Sequence, residues 1–228
     1  MKRQFDSIIF DMDGVLVSNS SYVKAIVQTV QLFCKNKKID STYITEIKKI
    51  TGFNNDWDTS YALIKLLGNN VPVEKFALEI ERITPEIRMS DTYKQIKETF
   101  QTIYVGTNNN GYIAQESILI RLKLLQKLSS IYWLGIATSR PRYEAQFAAR
   151  NLGLSKYIPM GYIVAKEDAQ REKPFPDPLL EAKRRMNVER PLYVGDTVND
   201  TEAAFLAGMP CIYIPDPSQV NTEMEKLL

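Results

Sequence analysis

Short apolar runs alternate with amphipathic helical segments through the second half of the chain. The runs predict strands at residues 131–137, 162–164, 192–194 and 211–214, and the segments around them predict helices at 117–128, 143–152, 176–186 and 201–207. Strands and helices that alternate over short loops form a parallel sheet with helices on both faces. With a further strand predicted at residues 5–10, the pattern indicates an α/β fold.

Residues 18–111 show a different pattern, in which apolar residues recur at helical spacing and no strand is convincing. Five helices are predicted there, at about residues 20–33, 44–50, 61–68, 72–83 and 93–100. We therefore expect an all-helical insertion at 18–111 between the two parts of the α/β domain, residues 1–17 and 112–228.

The chain of 228 residues contains no histidine. Ser-His-Asp triads, Cys-His pairs and His-ligated zinc sites are therefore excluded. Any metal site has to be built from oxygen ligands, which favours Mg²⁺. The sequence also lacks the glycine-rich phosphate loop and the G-x-G-x-x-G dinucleotide pattern.

Charge and cysteine content are those of an ordinary globular protein. A net charge of +2 gives no electrostatic case for binding nucleic acid or a membrane surface, and no apolar run approaches the length of a membrane span. Cys34 and Cys211 lie far apart, which fits reduced thiols. We therefore expect a cytoplasmic protein, monomeric or homodimeric, that binds neither nucleic acid nor membranes.

Two carboxylates, Asp11 and Asp13, follow the first predicted strand, and Gly14 closes the turn. The C-terminal ends of parallel strands are where α/β proteins bind their ligands. One carboxylate can attack a substrate while the other moves protons, and both can help to hold a cation. Because aspartate and glycine are also ordinary turn residues, the motif needs support from the rest of the chain.

Polar residues also follow two other predicted strands. Thr138 and Ser139 offer a hydroxyl group and backbone N–H groups that suit a phosphate, although such residues also cap helices. Asp196 and Asp200 lie about one helical turn apart, and converging carboxylates suit a hard cation. A turn aspartate followed by a carboxylate at a helix N-terminus would give the same pattern.

Lys173 lies in a loop with prolines at positions 174, 176 and 178, which fix the backbone around it. A held ammonium group can balance clustered carboxylates and a phosphate, whereas most lysines are solvated surface residues. The proline frame favours the functional interpretation.

These four motifs, in this order, resemble those of the haloacid dehalogenase superfamily of aspartate-nucleophile phosphatases. The resemblance covers residues 1–17 and 112–228, and it implies a Rossmann-like core with a parallel sheet flanked by helices. Residues 18–111 lie where this family carries a helical cap domain. The resemblance implies a Mg²⁺-dependent phosphoric monoester hydrolase that acts on a small phosphorylated metabolite through an aspartyl phosphate.

The resemblance also implies roles for the carboxylates. Asp11 would be the nucleophile. Asp13 would protonate the leaving oxygen and then deprotonate the water that hydrolyses the intermediate. Mg²⁺ would be held by Asp11, Asp196, the backbone carbonyl of Asp13 and, directly or through water, Asp200.

The phosphoryl group would be bound by the remaining motif residues. Thr138, the backbone N–H of Ser139 and Gly14 would bind its oxygens, and Lys173 would neutralise its charge and that of the nucleophile. Arg140 is either a contact for an acidic substrate or a surface residue.

Substrate identity would be determined in the cap, where residues 52–58 combine amides, carboxylates and aromatic rings. One interpretation is a specificity loop in which Asn54, Asn55 and Trp57 contact the substrate. The other is a helix end at Gly52, an N-cap at Asp56 and a packed tryptophan.

Three alternatives differ from a phosphatase by their chemistry. The resemblance implies that a dehalogenase would not use an acid at Asp13, because halide leaves without a proton. The family's mutases usually carry a histidine near the first motif, and this chain has none. A catalytically idle binding protein would usually have lost the nucleophile, the acid or the lysine, and all three are present.

Overall fold

The computed structural model describes residues 4–35, 38–50, 52–53 and 55–228. Its internal contacts divide the chain into two compact units, one formed by Met1–Asn19 with Glu116–Leu228 and the other by Ser20–Gln115. The predicted boundaries, after residue 17 and before residue 112, lie slightly earlier in the chain. Each unit is described by itself below.

Helices are the only regular elements among the described residues of Ser20–Gln115. They are α1 (Ser20–Phe33), α2 (Ser41–Lys48), α3 (Asp56–Gly68), α4 (Phe76–Glu79), α5 (Pro85–Met89) and α6 (Asp91–Tyr104), together with short 3₁₀ turns. Helix α6 buries Tyr93, Ile96, Phe100 and Tyr104, which share one face at the i, i+3, i+4 spacing of an amphipathic helix.

The predicted helix at residues 72–83 is wrong in its extent. Helix α4 covers only Phe76–Glu79, and Ile80 is already extended. A separate helix, α5, begins at Pro85, where the side chain of Thr84 accepts a hydrogen bond from the N–H of Ile87. Thr84 is also extended, as expected for the residue before a proline, so that α4 and α5 are two separate helices.

The other unit contains a five-stranded parallel sheet. Its strands are β1 (Ser7–Phe10), β2 (Trp133–Ala137), β3 (Ile163–Val164), β4 (Pro191–Gly195) and β5 (Cys211–Tyr213), in the order β3-β2-β1-β4-β5. Strand β1 pairs with β2 and with β4, so that Phe10 lies opposite both Ile136 and Val194. The α/β fold with a parallel sheet is confirmed.

In the described residues of this unit, five α-helices accompany the sheet: α7 (Leu122–Ser129), α8 (Arg142–Asn151), α9 (Asp177–Met186), α10 (Val198–Leu206) and α11 (Val220–Glu225). Successive residues of β1 point to opposite faces of the sheet. Ile8 and Phe10 join a core with residues of α7, α8 and α11, whereas Ile9 packs with residues of α9 and α10. Helices therefore cover both faces, and β1 is completely buried.

Helix α7 begins at Leu122 and not at the predicted residue 117. The segment before it is extended, because the N–H of Leu119 donates to the carbonyl of Leu16 and the N–H of Ser18 donates to that of Ser117. These bonds hold the returning chain beside the turn that follows β1. Within the described parts of the chain, the structure contains no helix with both the length and the apolar character needed to cross a membrane.

Candidate active site

The polar residues singled out in the sequence follow strands whose carboxyl ends meet at one edge of the sheet. Asp11 directly follows β1, Thr138 follows β2 and Asp196 follows β4. The N–H of Asp11 donates to the carbonyl of Val194 at 2.8 Å, so that the ladder continues into the site. In open α/β sheets this edge is where ligands bind.

Three carboxylates converge there. Asp11, Asp196 and Asp200 each place one oxygen within 4.8 Å of the other two. Burial raises the pKa of Asp11 to about 7, with the charges of Asp200 and Asp13 adding to the effect. Burial, followed by the charges of Asp11 and Asp200, raises the pKa of Asp196 to about 8. A bound proton or another positive charge would therefore stabilise this cluster of buried carboxylates.

Lys173 supplies one positive charge to this cluster. Its Nζ lies 2.8 Å from Oδ1 of Asp11 and 2.6 Å from Oδ1 of Asp200, and its side chain is buried. Burial alone would lower the pKa of the ammonium group, but the two carboxylates raise it above its usual value. Lys173 precedes a cis peptide bond to Pro174. It is a held ammonium group and not a solvated surface lysine.

Asp200 is fixed by donors on both oxygens. Oδ1 accepts from Lys173 and, at 2.7 Å, from the hydroxyl of Tyr193, while Oδ2 accepts from the N–H of Thr197 at 3.0 Å. Burial would raise its pKa, but the charge and hydrogen bond of Lys173 hold the pKa below its usual range. Its role as a metal ligand stays a prediction.

Sequence reasoning missed Tyr193 and Thr197. Tyr193 lies in the middle of β4 and is fully buried, so the apolar run hides its hydroxyl group. Thr197 is the N-cap of α10, and its spacing from Asp200 is that of a capping box. That spacing is the one signal in the sequence that could have identified Thr197.

Asp196 retains an unsatisfied oxygen. Within the residues that the structure describes, Oδ1 of Asp196 is buried and has no hydrogen-bond partner. Because a buried unpaired polar atom is costly, a cation on this oxygen would remove the penalty. The donors are carboxylates, which suit hard cations such as Mg²⁺. Asp11 and Asp196 therefore fit a divalent metal.

Gly14 makes room for that carboxylate. Its φ of +74° lies in the left-handed region, and a Cβ built at this position would be 1.9 Å from Oδ2 of Asp196. Glycine is required there for two reasons, because larger residues are strained at this φ and would collide with Asp196. The predicted contact of Gly14 with phosphate stays a prediction.

Asp13 is paired with Arg140. Nε and Nη2 of Arg140 donate to the two oxygens of Asp13 at 2.8 and 2.5 Å, and Nη1 lies 2.8 Å from Oε1 of Glu116. Arg140 is 6% exposed. The interpretation of Arg140 as a surface residue is therefore wrong, and sequence reasoning missed Glu116, which carried no motif.

The loop after β2 contains the predicted anion contact. Thr138 is buried, and its Oγ1 accepts from the N–H of Arg140 at 3.2 Å. Ser139, the next residue, is half-buried. Farther along the loop, Arg142 pairs at the surface with Asp168. The phosphate contacts of Thr138 and Ser139 stay predictions.

The candidate specificity segment forms the start of α3. Asn55 is the N-cap, and its side chain accepts from the N–H groups of Trp57 and Asp58. The predicted N-cap at Asp56 is wrong, because Asp56 is the first helical residue and pairs with Lys48. Trp57 lies under Nζ of Lys97 at 4.0 Å. Asn54 lies outside the described residues.

We expect Asn55→Ala to lower the free energy of unfolding by about 1 kcal/mol, because the first turn of α3 loses its N-cap. Asn55→Asp is the matched control and should retain most of the stability, since aspartate is an equally good N-cap. Urea unfolding followed by circular dichroism measures both. Equal stability of Asn55→Ala and the wild-type chain would show that the cap contributes nothing.

Comparison with known proteins gives consistent results. The profile of the haloacid dehalogenase-like hydrolases matches residues 8–214. The phosphoglycolate phosphatase of Escherichia coli O157:H7 is 25% identical over 213 residues, which are 90% of this chain and 79% of the relative.

Solved structures share the fold. The phosphatase Tt82 from Thermococcus thioreducens superposes with a TM-score of 0.74 and 26% identity, over 96% of this chain and 97% of that one. A haloacid dehalogenase-like hydrolase from Streptococcus pneumoniae, 19% identical, superposes with a TM-score of 0.65 over 92% of this chain and 84% of its own. At that lower identity the likeness concerns the fold alone.

Proposed function

This chain belongs to the haloacid dehalogenase-like hydrolases, and we propose that it is a Mg²⁺-dependent phosphatase of small phosphorylated metabolites. The observation that carries the proposal is the buried group of Asp11, Asp196 and Lys173. A carboxylate nucleophile repels a phosphate dianion, so attack requires two positive charges near the nucleophile and the phosphate. Lys173 at 2.8 Å from Asp11 supplies one charge, and a cation on Asp196 would supply the other.

Asp11 is the proposed nucleophile. Its carboxylate would form a bond to phosphorus while the bond from phosphorus to the leaving oxygen breaks, and the product is an aspartyl phosphate. Lys173 keeps its proton throughout, because Asp11 and Asp200 raise its pKa. It therefore acts as a fixed charge and not as an acid.

Asp13 is the proposed acid and base. It would give its proton to the leaving oxygen in the first step and take a proton from the attacking water in the second. Its carboxyl group is about one quarter exposed, whereas that of Asp11 is almost completely buried. That difference favours Asp13 for proton exchange and Asp11 for the attack.

Mg²⁺ would be held by Asp11, Asp196 and the backbone carbonyl of Asp13, with Asp200 as a further ligand. When bound, it would neutralise charge on the phosphoryl oxygens and orient them for attack in line with the leaving oxygen. The unsatisfied oxygen of Asp196 and the space that Gly14 leaves beside it support this assignment.

The relatives, and not the site, suggest which phosphorylated compounds to test. The E. coli relative is a phosphoglycolate phosphatase, so phosphoglycolate is the first compound to test. Thr138, Ser139 and Lys173 would bind the phosphoryl group of any monoester.

We expect the purified chain to hydrolyse p-nitrophenyl phosphate with Mg²⁺ and to lose this activity with excess EDTA. A panel of phosphoglycolate, sugar phosphates, nucleotides and histidinol phosphate, followed by phosphate release, would then rank the substrates. Restoration by Mg²⁺ after EDTA is the control against irreversible damage. Hydrolysis that persists in EDTA would contradict the metal dependence, and no hydrolysis across the panel would contradict the phosphatase.

A further inference from the structure

Three charged side chains contact one another in a row that begins at the turn after β1; they are those of Asp13, Arg140 and Glu116. The guanidinium of Arg140 binds both oxygens of Asp13 on one side, through Nε and Nη2. On its other side, Nη1 contacts Glu116, whose side chain is 1% exposed. The two hydrogen bonds from Arg140 fix the plane of the Asp13 carboxylate as well as its distance. A single point charge would not fix that plane.

The backbone of Arg140 is anchored on both sides. The N–H of Arg140 donates to Oγ1 of Thr138, and its carbonyl accepts from the N–H of Lys166 at 2.9 Å. Glu116 immediately precedes the extended segment that is bonded to Leu16 and Ser18. The guanidinium therefore has little freedom to follow Asp13, and Asp13 has to take the orientation that Arg140 sets.

Burial makes the pairing obligatory. A buried carboxylate such as that of Glu116 requires a paired charge, and Arg140 supplies a cation in contact with it. Two carboxylates on one guanidinium also leave Arg140 with less attraction for an incoming phosphate than an unpaired arginine would have. These contacts suit a residue that orients another side chain better than one that holds substrate.

We propose that Arg140, held by Glu116, is a positioning residue that orients the carboxyl group of Asp13 toward the leaving oxygen. The inference rests on the proposed function, because Asp13 needs to be oriented only if it is the acid of a phosphatase. In the step concerned, Asp11 forms a bond to phosphorus as the P–O bond to the leaving group breaks; the electron pair of the broken bond takes the proton of Asp13, and Asp13 becomes a carboxylate. A carboxylate has about four lone-pair sites, so the two bonds from Arg140 leave sites for the proton.

The inference predicts an effect that depends on the leaving group. An alkoxide leaves poorly without a proton, whereas p-nitrophenolate leaves without one. Misplacing an acid costs rate only where the acid is needed, and a misplacement near 1 Å can cost about 10²-fold. The kinetic parameter to compare is kcat/KM, since it reports the steps up to the release of the leaving group and not the hydrolysis of the intermediate.

The test measures kcat/KM of the wild-type chain and of Arg140→Gln with Mg²⁺. The substrates are p-nitrophenyl phosphate and the best alkyl ester among phosphoglycolate, glycerol 3-phosphate and glucose 6-phosphate. We expect Arg140→Gln to lower kcat/KM about 10²-fold for the alkyl ester and to leave the value for p-nitrophenyl phosphate close to that of the wild type.

Two further variants separate positioning from folding. Glu116→Gln keeps the size of the side chain and should give a smaller loss with the same preference for the alkyl ester. Arg142→Gln removes a surface arginine two residues away that pairs with Asp168, and it should leave both values unchanged. Circular dichroism melting curves check that each variant is folded.

Losses of equal size on the two substrates in both Arg140→Gln and Glu116→Gln would overturn the inference and leave the phosphatase standing. Values of kcat/KM that stay unchanged on both substrates in these variants would also overturn the inference and leave the phosphatase standing. A wild-type chain that hydrolyses p-nitrophenyl phosphate but none of the three alkyl esters would also overturn the inference, because Asp13 would then show no acid catalysis. A wild-type chain that hydrolyses neither kind of ester overturns the proposed function, and the inference fails with it.

Discussion

Asp11→Asn is expected to abolish turnover, with a fall in kcat on the order of 10⁴-fold or more, as for the loss of other catalytic nucleophiles. An amide has no carboxylate oxygen with which to form the aspartyl phosphate. The substitution keeps the size and shape of a side chain that is 6% exposed, so the packing around it should be unchanged. Lys173 retains its second partner, Asp200, at 2.6 Å. Phosphate release from p-nitrophenyl phosphate with Mg²⁺ measures the effect.

Asp216→Asn is the matched control for this substitution. Asp216 is exposed and caps a 3₁₀ turn by accepting from the N–H of Ser218 at 3.0 Å. Asparagine caps as well as aspartate does, so both the turnover and the melting temperature should equal those of the wild type. Near wild-type turnover in Asp11→Asn would contradict the nucleophile, whereas a low melting temperature would assign the loss to folding.

Local patterns in the sequence predict the site wherever it follows strands. Asp11, Thr138 and Asp196 were placed correctly at strand ends, because the register of parallel strands brings these ends to one edge. Each is marked by a short apolar run and a polar residue directly after it. No comparable local signal exists for Glu116, which carries no motif, or for Tyr193, whose hydroxyl group is hidden in an apolar run.

Element boundaries fail where tertiary contacts compete with local propensity. Residues 117–121 have the apolar spacing of a helix, but the hydrogen bonds from Leu119 to Leu16 and from Ser18 to Ser117 hold that segment extended. The sequence carries no sign of this pairing, which depends on a partner about a hundred residues earlier. Arg140 is a similar case, since its neighbours in sequence allow a surface residue and only the fold brings it to Asp13 and Glu116.

Asp196→Asn is expected to stabilise the metal-free chain at pH 8 while removing its response to Mg²⁺. The pKa of Asp196 rises from 3.8 to about 8 on folding, first through burial and then through the charges of Asp11 and Asp200. Between these values the folded state binds the extra proton, so the free energy of unfolding falls as the pH rises. Asparagine stays neutral, so the free energy of unfolding of Asp196→Asn does not fall with pH through this residue. Asp11, with a pKa of about 7, contributes a fall of the same sign.

Melting curves at pH 5 and pH 8, each with EDTA or with Mg²⁺, measure both effects. With EDTA, the variant should melt several degrees above the wild type at pH 8 and close to it at pH 5, since 1 kcal/mol corresponds to about 2–4 °C in a chain of this size. Mg²⁺ should raise the melting temperature of the wild type more at pH 8, where the carboxylates are ionised and ready to bind.

Asp216→Asn again serves as the control, because an exposed carboxylate should change neither the pH dependence nor the response to Mg²⁺. A rise with Mg²⁺ that is as large in Asp196→Asn as in the wild type would remove Asp196 from the metal site. A variant that is less stable than the wild type at pH 8 with EDTA would show that the aspartate is ionised and satisfied without a cation. The combination of higher stability without metal and a lost response to Mg²⁺ is what a carboxylate kept for metal binding predicts, since its charge destabilises the folded chain until a cation neutralises it.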